Sequence, residues 1–261
     1  MREWLHSVYK WLRSVGGDGP PRSDQDVFFT NYMFLRKAVG WVGTLLPLIL
    51  LIANPIALSI ENSSCGAVPG SVSGYYYSPV RNIFVGAMCA QGLFLIAYVG
   101  YDLGDRVITD LAGVFALGVA LFPTKPTVAS PPSVTCQTVA QLSTRQQVVG
   151  DIHLVFAGLT FAFLAWMAIR FTNTDKLQPS PQKLLRNRIY LICAIVIVLC
   201  LAALVITSLL SASVKGPFPW IFLWEAVGIF AFGVSWFVKG QTLIGALKDP
   251  PTPVAEPVAQ H

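Results

Sequence analysis

Charge is scarce in this chain. Asp, Glu, Lys and Arg make up 12% of its 261 residues, against roughly 25% in a soluble domain. Histidine is scarcer still, limited to His6, His153 and His261. Only His153 falls in an apolar stretch, so a multi-histidine zinc site is excluded. No G-x-S-x-G, no H-E-x-x-H and no phosphate-cradling glycine loop with Lys occurs, and no cofactor or metal is expected. No apolar stretch is regularly studded with arginine, which argues against a voltage sensor. Pro47 and Pro55 interrupt the first apolar stretch and no later one mirrors them, so the paired broken helices of many transporters are missing. A pI near 9.0 would suit nucleic acid, but no basic run sits among aromatics on a soluble module.

Apolar residues are plentiful. They form 54% of the chain, its mean hydropathy is +0.60, and they gather in membrane-length blocks. The expected fold is an all-α integral membrane protein, a six-transmembrane-helix bundle with an N-terminal interfacial amphipathic helix. Spans are expected near 38–60, 83–101, 107–122, 149–171, 189–210 and 218–238. Residues 1–22 would form the amphipathic segment and linker, 23–240 the membrane domain and 241–261 a disordered, Pro- and Ala-rich tail.

In residues 1–15, Trp4, Leu5, Val8, Trp11, Leu12 and Val15 recur at helical spacing, with Arg2, Lys10 and Arg13 opposite. Such a helix would lie in the headgroup region; a disordered tail and a helix packed on the protein are the alternatives. A glycine- and proline-rich break follows at 16–21. Ser23 and Asp26 mark a helix start, and that helix would run on through residues 28–37 into the first span.

The third segment has two readings. Its sixteen residues would cover about 24 Å, short of the ~30 Å hydrocarbon core, so a re-entrant segment competes with a crossing. Charge decides for the crossing. With six spans and both termini inside, fourteen of the 18 Lys and Arg residues fall on the inner side and four outside, a strong positive-inside bias. A failed crossing would move the cations at 170–188 outward and erase it. The termini are then cytoplasmic, and a plasma or inner membrane fits better than an organelle. Trp220 and Trp224 suit the outer interface, Trp41 and Trp236 the inner one.

Cys65 and Cys136 are the two cysteines outside the apolar runs and share the outer side, so a disulfide between them is expected. Cys89, Cys193 and Cys200 lie within spans, where packing is their role. Asn62-Ser63-Ser64 is an outer-side sequon. The loop 125–147 reads as irregular. Asp102, Asp105, Arg106 and Asp110 read as a solvated inner connection with capping aspartates. Ala112, Ala116 and Ala120 form a small-residue stripe for close helix packing, and small-residue faces are where a homo-oligomer would form.

The candidate site lies at the outer face. Glu225 stands about five residues into the last span, and His153 near the outer end of the fourth. Arg81 precedes the second span, Glu61 ends the first, and Tyr75, Tyr76 and Tyr77 can lie across them. In one reading this cluster lines a lipid cavity, with Arg81 on an anionic headgroup and His153 or Glu225 handling protons or polar substrate. In the other, Arg81 pairs with Glu225 or Glu61, and His153 hydrogen-bonds a neighbouring helix. Asp151 is expected to cap the fourth span.

The order Ser73-Gly74-Tyr75, Ser78-Pro79-Val80-Arg81-Asn82-Ile83-Phe84, then 111–118, His153 with Ala157, Phe161 and Ala162, and Glu225 before Phe232-Gly233-Val234-Ser235-Trp236, resembles the six-span DRAM/Sfk-type membrane proteins. Gly74 stands where that family has Gly, the preceding Asp is missing, and Arg81 stands near the family's Glu. The resemblance, over about residues 38–238, implies roles in autophagy modulation, lipid organisation or, in a related branch, remodelling of glycolipid anchors. The YYYSPVRNIFVGA block is also similar to bacterial multi-span proteins. The first functional expectation is therefore a non-enzymatic protein that binds or organises membrane lipid. A small-solute or proton-coupled transporter using Glu225 and His153 is the alternative, and a lipid-remodelling enzyme with His153 and Glu225 as acid/base pair the third.

Overall fold

The structure, a computed structural model, describes residues 24–62, 68–100, 102–126, 141–172, 181–210 and 218–240. The amphipathic segment 1–22, the tail 241–261, Ser23, Cys65 and Cys136 lie outside the described residues. Two compact units divide the chain at Phe34 and Leu35; all packing below concerns the second.

Among the described residues the protein is all-helical. Its helices are α1 (Asp24–Ile60), α2 (Arg81–Ala97), α3 (Leu103–Leu121), α4 (Thr144–Arg170), α5 (Pro181–Leu209) and α6 (Trp220–Lys239), with a 3-10 turn at Ser73–Tyr77. Four are long and apolar enough to cross a membrane: α1 from Asn31, α4, α5 and α6. This is an integral membrane protein. Backbone groups in hydrocarbon must be satisfied within the chain, and a continuous helix does that. Half-exposed Leu191, Ile192, Leu199, Val205 and Ile206 on α5 suit lipid contact.

The apolar windows underestimate the helices, because hydrogen bonding continues into polar flanks. Helix α1 runs unbroken through the expected start of the first span. Helix α3 starts at Leu103 and reaches 19 residues. Helix α5 starts with Pro181, whose missing N–H costs nothing in a first turn. Helix α4 starts at Thr144 behind a full capping box between Ser143 and Gln146. Asp151 is therefore not a cap; it lies two turns inside α4. Helix α2 stops early because Tyr98 turns extended. That sets its ring edge-on against Trp236, centroids 4.9 Å apart, and its hydroxyl accepts from Arg36 Nη2 at 3.3 Å. Trp236 is thus no interfacial belt residue: it is fully buried, between Tyr98, Phe171 and Phe232. Trp41 remains half exposed.

Helices meet through glycines. A Cβ on Gly113 would lie 2.5 Å from the Gly92 carbonyl oxygen, and one on Gly92 2.8 Å from that of Gly113, so α2 and α3 touch backbone to backbone. A Cβ on Gly233 would lie 2.7 Å from the Thr44 nitrogen, which brings α6 equally close to α1. The stripe Ala112, Ala116 and Ala120 is fully buried, taken up by packing within the chain.

Helices α3 and α4 run antiparallel and are tied at both ends. At one end Asp102 caps α3, accepting from the Asp105 N–H at 2.8 Å. Arg170 then bonds Asp102 through Nη2 and Asp105 through Nε at 2.8 Å. The solvated-connection reading needs this correction: Asp102 does cap, but two of the carboxylates also bind the last turn of α4. At the other end, His153 of α4 reaches Phe122 beyond α3.

Two predictions follow from this packing. Gly113→Leu should lower the unfolding midpoint in detergent by an amount equivalent to about 1–3 kcal/mol. Gly86→Ala, with nothing within 4 Å of its Cβ, should leave the midpoint unchanged. The second concerns acid. The Asp105 N–H and then Arg170 hold the Asp102 carboxyl below its usual range. A depressed carboxylate stabilises above its unfolded pKa, near 4, and loses that as pH falls through the folded value. Protection of the Asp105 amide, taken relative to its intrinsic exchange rate at each pH, should therefore fall below about pH 4, and Asp102→Asn should abolish that fall.

Candidate functional site

The loop before α2 is a short roof stitched to the start of α6. The N-terminal amides of α6 have no partners in their own helix, and Phe222 donates its N–H to the Gly70 carbonyl at 3.0 Å. Glu225, one turn deeper, returns the exchange. Its Oε2 accepts from the N–H of Val72 at 2.5 Å and of Ser73 at 3.4 Å. These amides open the 3-10 turn, where a carboxylate suits the positive end of the backbone dipole. Ser71 Oγ accepts from the Gly74 N–H at 2.8 Å and closes the turn.

The three tyrosines take three different places. Tyr75 is fully buried, packed among Leu46, Leu50, Phe84 and Phe222, and burial pushes its hydroxyl up to about 12. Tyr76, partly buried against the same core, accepts from Arg81 Nη2, whose guanidinium carbon also lies 4.0 Å from its ring centre. Tyr77 donates its hydroxyl to the Thr124 carbonyl at 2.7 Å, and burial raises its pKa. Arg81 thus bonds Tyr76, not Glu225 or Glu61. Glu61 is exposed at the end of α1. Of the seven expected residues, only Tyr77, His153 and Glu225 converge on one space.

That space is a cavity of about 720 Å³ under the roof, within the size range of small-molecule sites. Its polar groups include Asn54 of α1, Ser71, Tyr77 and Ser78 of the roof, Thr124, Lys125, His153, Ser208 of α5 and Glu225. Its apolar wall comes from Leu154, Ala157 and Phe161 of α4 and Leu201, Leu204, Val205 and Leu209 of α5. Leu154, Val205 and Leu209 are more than half exposed, so the wall continues onto the exposed apolar surface of α4 and α5.

Two cavity residues are also structural. His153 is buried, and its Nδ1 lies 2.6 Å from the Phe122 carbonyl. A carbonyl only accepts, so Nδ1 carries the proton and satisfies a group at the open end of α3. No hydrogen bond joins His153 to Glu225 among the described residues. Lys125 Nζ pairs with Asp151 at 2.5 Å. Gly150 permits this crossing, since a Cβ there would lie 2.3 Å from Lys125 Cγ.

A second, smaller cavity of about 60 Å³ lies beyond Ala157, Phe161 and Glu225, which line both. Gln91 lines it too, and both polar atoms of its side chain lack partners among the described residues. The space holds about one or two waters. Asn54 and Gln91 were missed in the sequence reading, although an amide in an apolar span is itself a signal. Lys125 carried no signal, because its place depends on Gly150. Among the described residues no three His, Cys, Asp or Glu side chains group as a metal site, and Cys89, Cys193 and Cys200 are free thiols.

Glu225→Ala should release the roof. Hydrogen bonds to a charged group contribute about 1.5–3 kcal/mol, so amide exchange at Val72 and Ser73 should accelerate about 10- to 100-fold. Arg81→Ala should leave both rates unchanged. No protein-family model, curated protein or solved structure matches this chain, and the geometry of the roofed cavity alone carries the functional reading.

Proposed function

We propose that this protein binds a single amphiphilic membrane lipid in the roofed cavity, polar end toward Glu225, Asn54 and Tyr77, and hydrocarbon along the α4–α5 wall. The observation that carries this is the continuity between that wall and the exposed apolar surface of α4 and α5. A molecule dissolved in the bilayer can enter from the side, with its polar end finding partners under the roof. Arg81 and Tyr76 take no part, and Tyr75 holds the roof in place.

The accompanying topology is six crossings with both termini cytoplasmic. Helix α2 has 17 residues, about 25 Å at 1.5 Å per residue, and meets α3 through Gly92 and Gly113. Helix α3 runs beside membrane-length α4 from the Arg170 end to the His153 end. Its charges Asp105, Arg106 and Asp110 sit in its first turns, and Arg170 and the Arg106–Asp110 pair offset them. The inner excess of Lys and Arg supports the orientation. Residues 1–22 would complete the fold as an interfacial helix.

A second reading, a proton-coupled carrier, has one observation in its favour: Glu225 lines both the outer cavity and the small one that holds Gln91. Such a carrier should show pH-dependent uptake in liposomes that Glu225→Gln abolishes. Uptake insensitive to that change removes it.

Native mass spectrometry tests the first reading. Gly158 lines the cavity, and its Cβ would meet nothing within 4 Å, so Gly158→Phe should fill the space without disturbing a helix. The variant should keep its thermal midpoint and lose the co-purifying lipid, whereas Arg81→Ala keeps it. An identical lipid complement on wild type and Gly158→Phe would sink the proposal.

A further inference from the structure

The charge pattern inside the cavity points to a class of ligand. Lys125 is matched by Asp151 at 2.5 Å. His153 donates Nδ1–H to a backbone carbonyl. Glu225 lines the cavity, and the roof groups that hold it, the Val72 and Ser73 amides on Oε2 and the Ser73 hydroxyl, are neutral. A carboxylate has about four lone-pair sites, so acceptor capacity remains on the cavity side. Arg81, the outer cation that would suit a phosphate, bonds Tyr76 away from this space.

We infer that the cavity selects an amphiphile whose polar end is an ammonium group, with Glu225 as its counter-charge. This inference rests on the cavity being a lipid site. An anionic headgroup would meet a carboxylate already fixed by the roof and a lysine already paired, and like charge at close range disfavours binding. A hydroxyl could hydrogen-bond Glu225, but without charge assistance. An ammonium gains both the bond and the charge, in a space whose apolar walls weaken solvent screening. Tyr77 and Phe161, which also line the cavity, present aromatic surface to such a cation. Two sources share this chemistry: an aminophospholipid of the bilayer and a free long-chain amine.

Binding of hexadecylamine, hexadecanol and palmitate to the detergent-solubilised full chain separates the possibilities. Phosphatidylethanolamine and phosphatidylglycerol nanodiscs, assayed by retained lipid, add the two-chain source. Wild type should bind the amine about 10- to 100-fold more tightly than the alcohol, the margin of a charge-assisted bond, and palmitate weakest. Glu225→Gln retains an acceptor for the roof and should bind amine and alcohol equally. Retention of phosphatidylethanolamine over phosphatidylglycerol identifies the bilayer lipid as the source; amine selectivity without it identifies the free amine. Equal binding of amine and alcohol by wild type, with both lost in Gly158→Phe, overturns the ammonium selectivity and leaves the lipid site standing. Binding unaffected by Gly158→Phe overturns both. The comparison within wild type needs no variant to fold.

Discussion

One carboxylate holds one end of this helical bundle in order. Glu225 projects from the second turn of α6 and accepts the amides of Val72 and Ser73, while Phe222 from the same helix donates to Gly70. Loop amides at a membrane surface need partners, as do the first amides of a helix. Here each set satisfies the other. The roof is therefore a fixed surface over the cavity, whose apolar wall runs on into exposed apolar surface of α4 and α5.

The other end of the α3–α4 pair repeats the device with opposite parts. Arg170, on the last turn of α4, meets the carboxylates that open α3, so cation and anion lie at the helix ends where each dipole favours them. Between the two ends the helices approach through Gly92, Gly113 and Gly233. In lipid no hydrophobic drive brings helices together, and close contact must supply the attraction. The glycines make that contact possible, and the end-to-end ties set the register.

Four of the seven residues that the sequence points to lie away from the cavity. Tyr75, Tyr76 and Tyr77 are adjacent, and adjacency suggested a common surface. The 3-10 turn instead sends one into the core, one onto Arg81 and one to Thr124. Arg81 bonds Tyr76 and Glu225 bonds the roof amides, so the two do not meet. Asn54 and Gln91 were visible as amides in apolar stretches, yet nothing in the string placed both near Glu225. Trp236 looked like a belt residue because it stands near a span end; its burial against Tyr98 depends on α2 stopping at Ala97.

The sequence by itself determined that the chain is helical and embedded in a membrane, because segment length and apolar content answer a demand that any bilayer imposes on any backbone. It also determined that Glu225 and His153 need partners, since polar groups at such depths are costly when alone. Only the tertiary structure decided which partners they have. Those choices hang on angles and close approaches: the turn at Ser73–Tyr77, the crossing of Lys125 over Gly150, the contact of Gly92 with Gly113. Each is fixed by two segments at once, and a linear pattern records only one segment at a time.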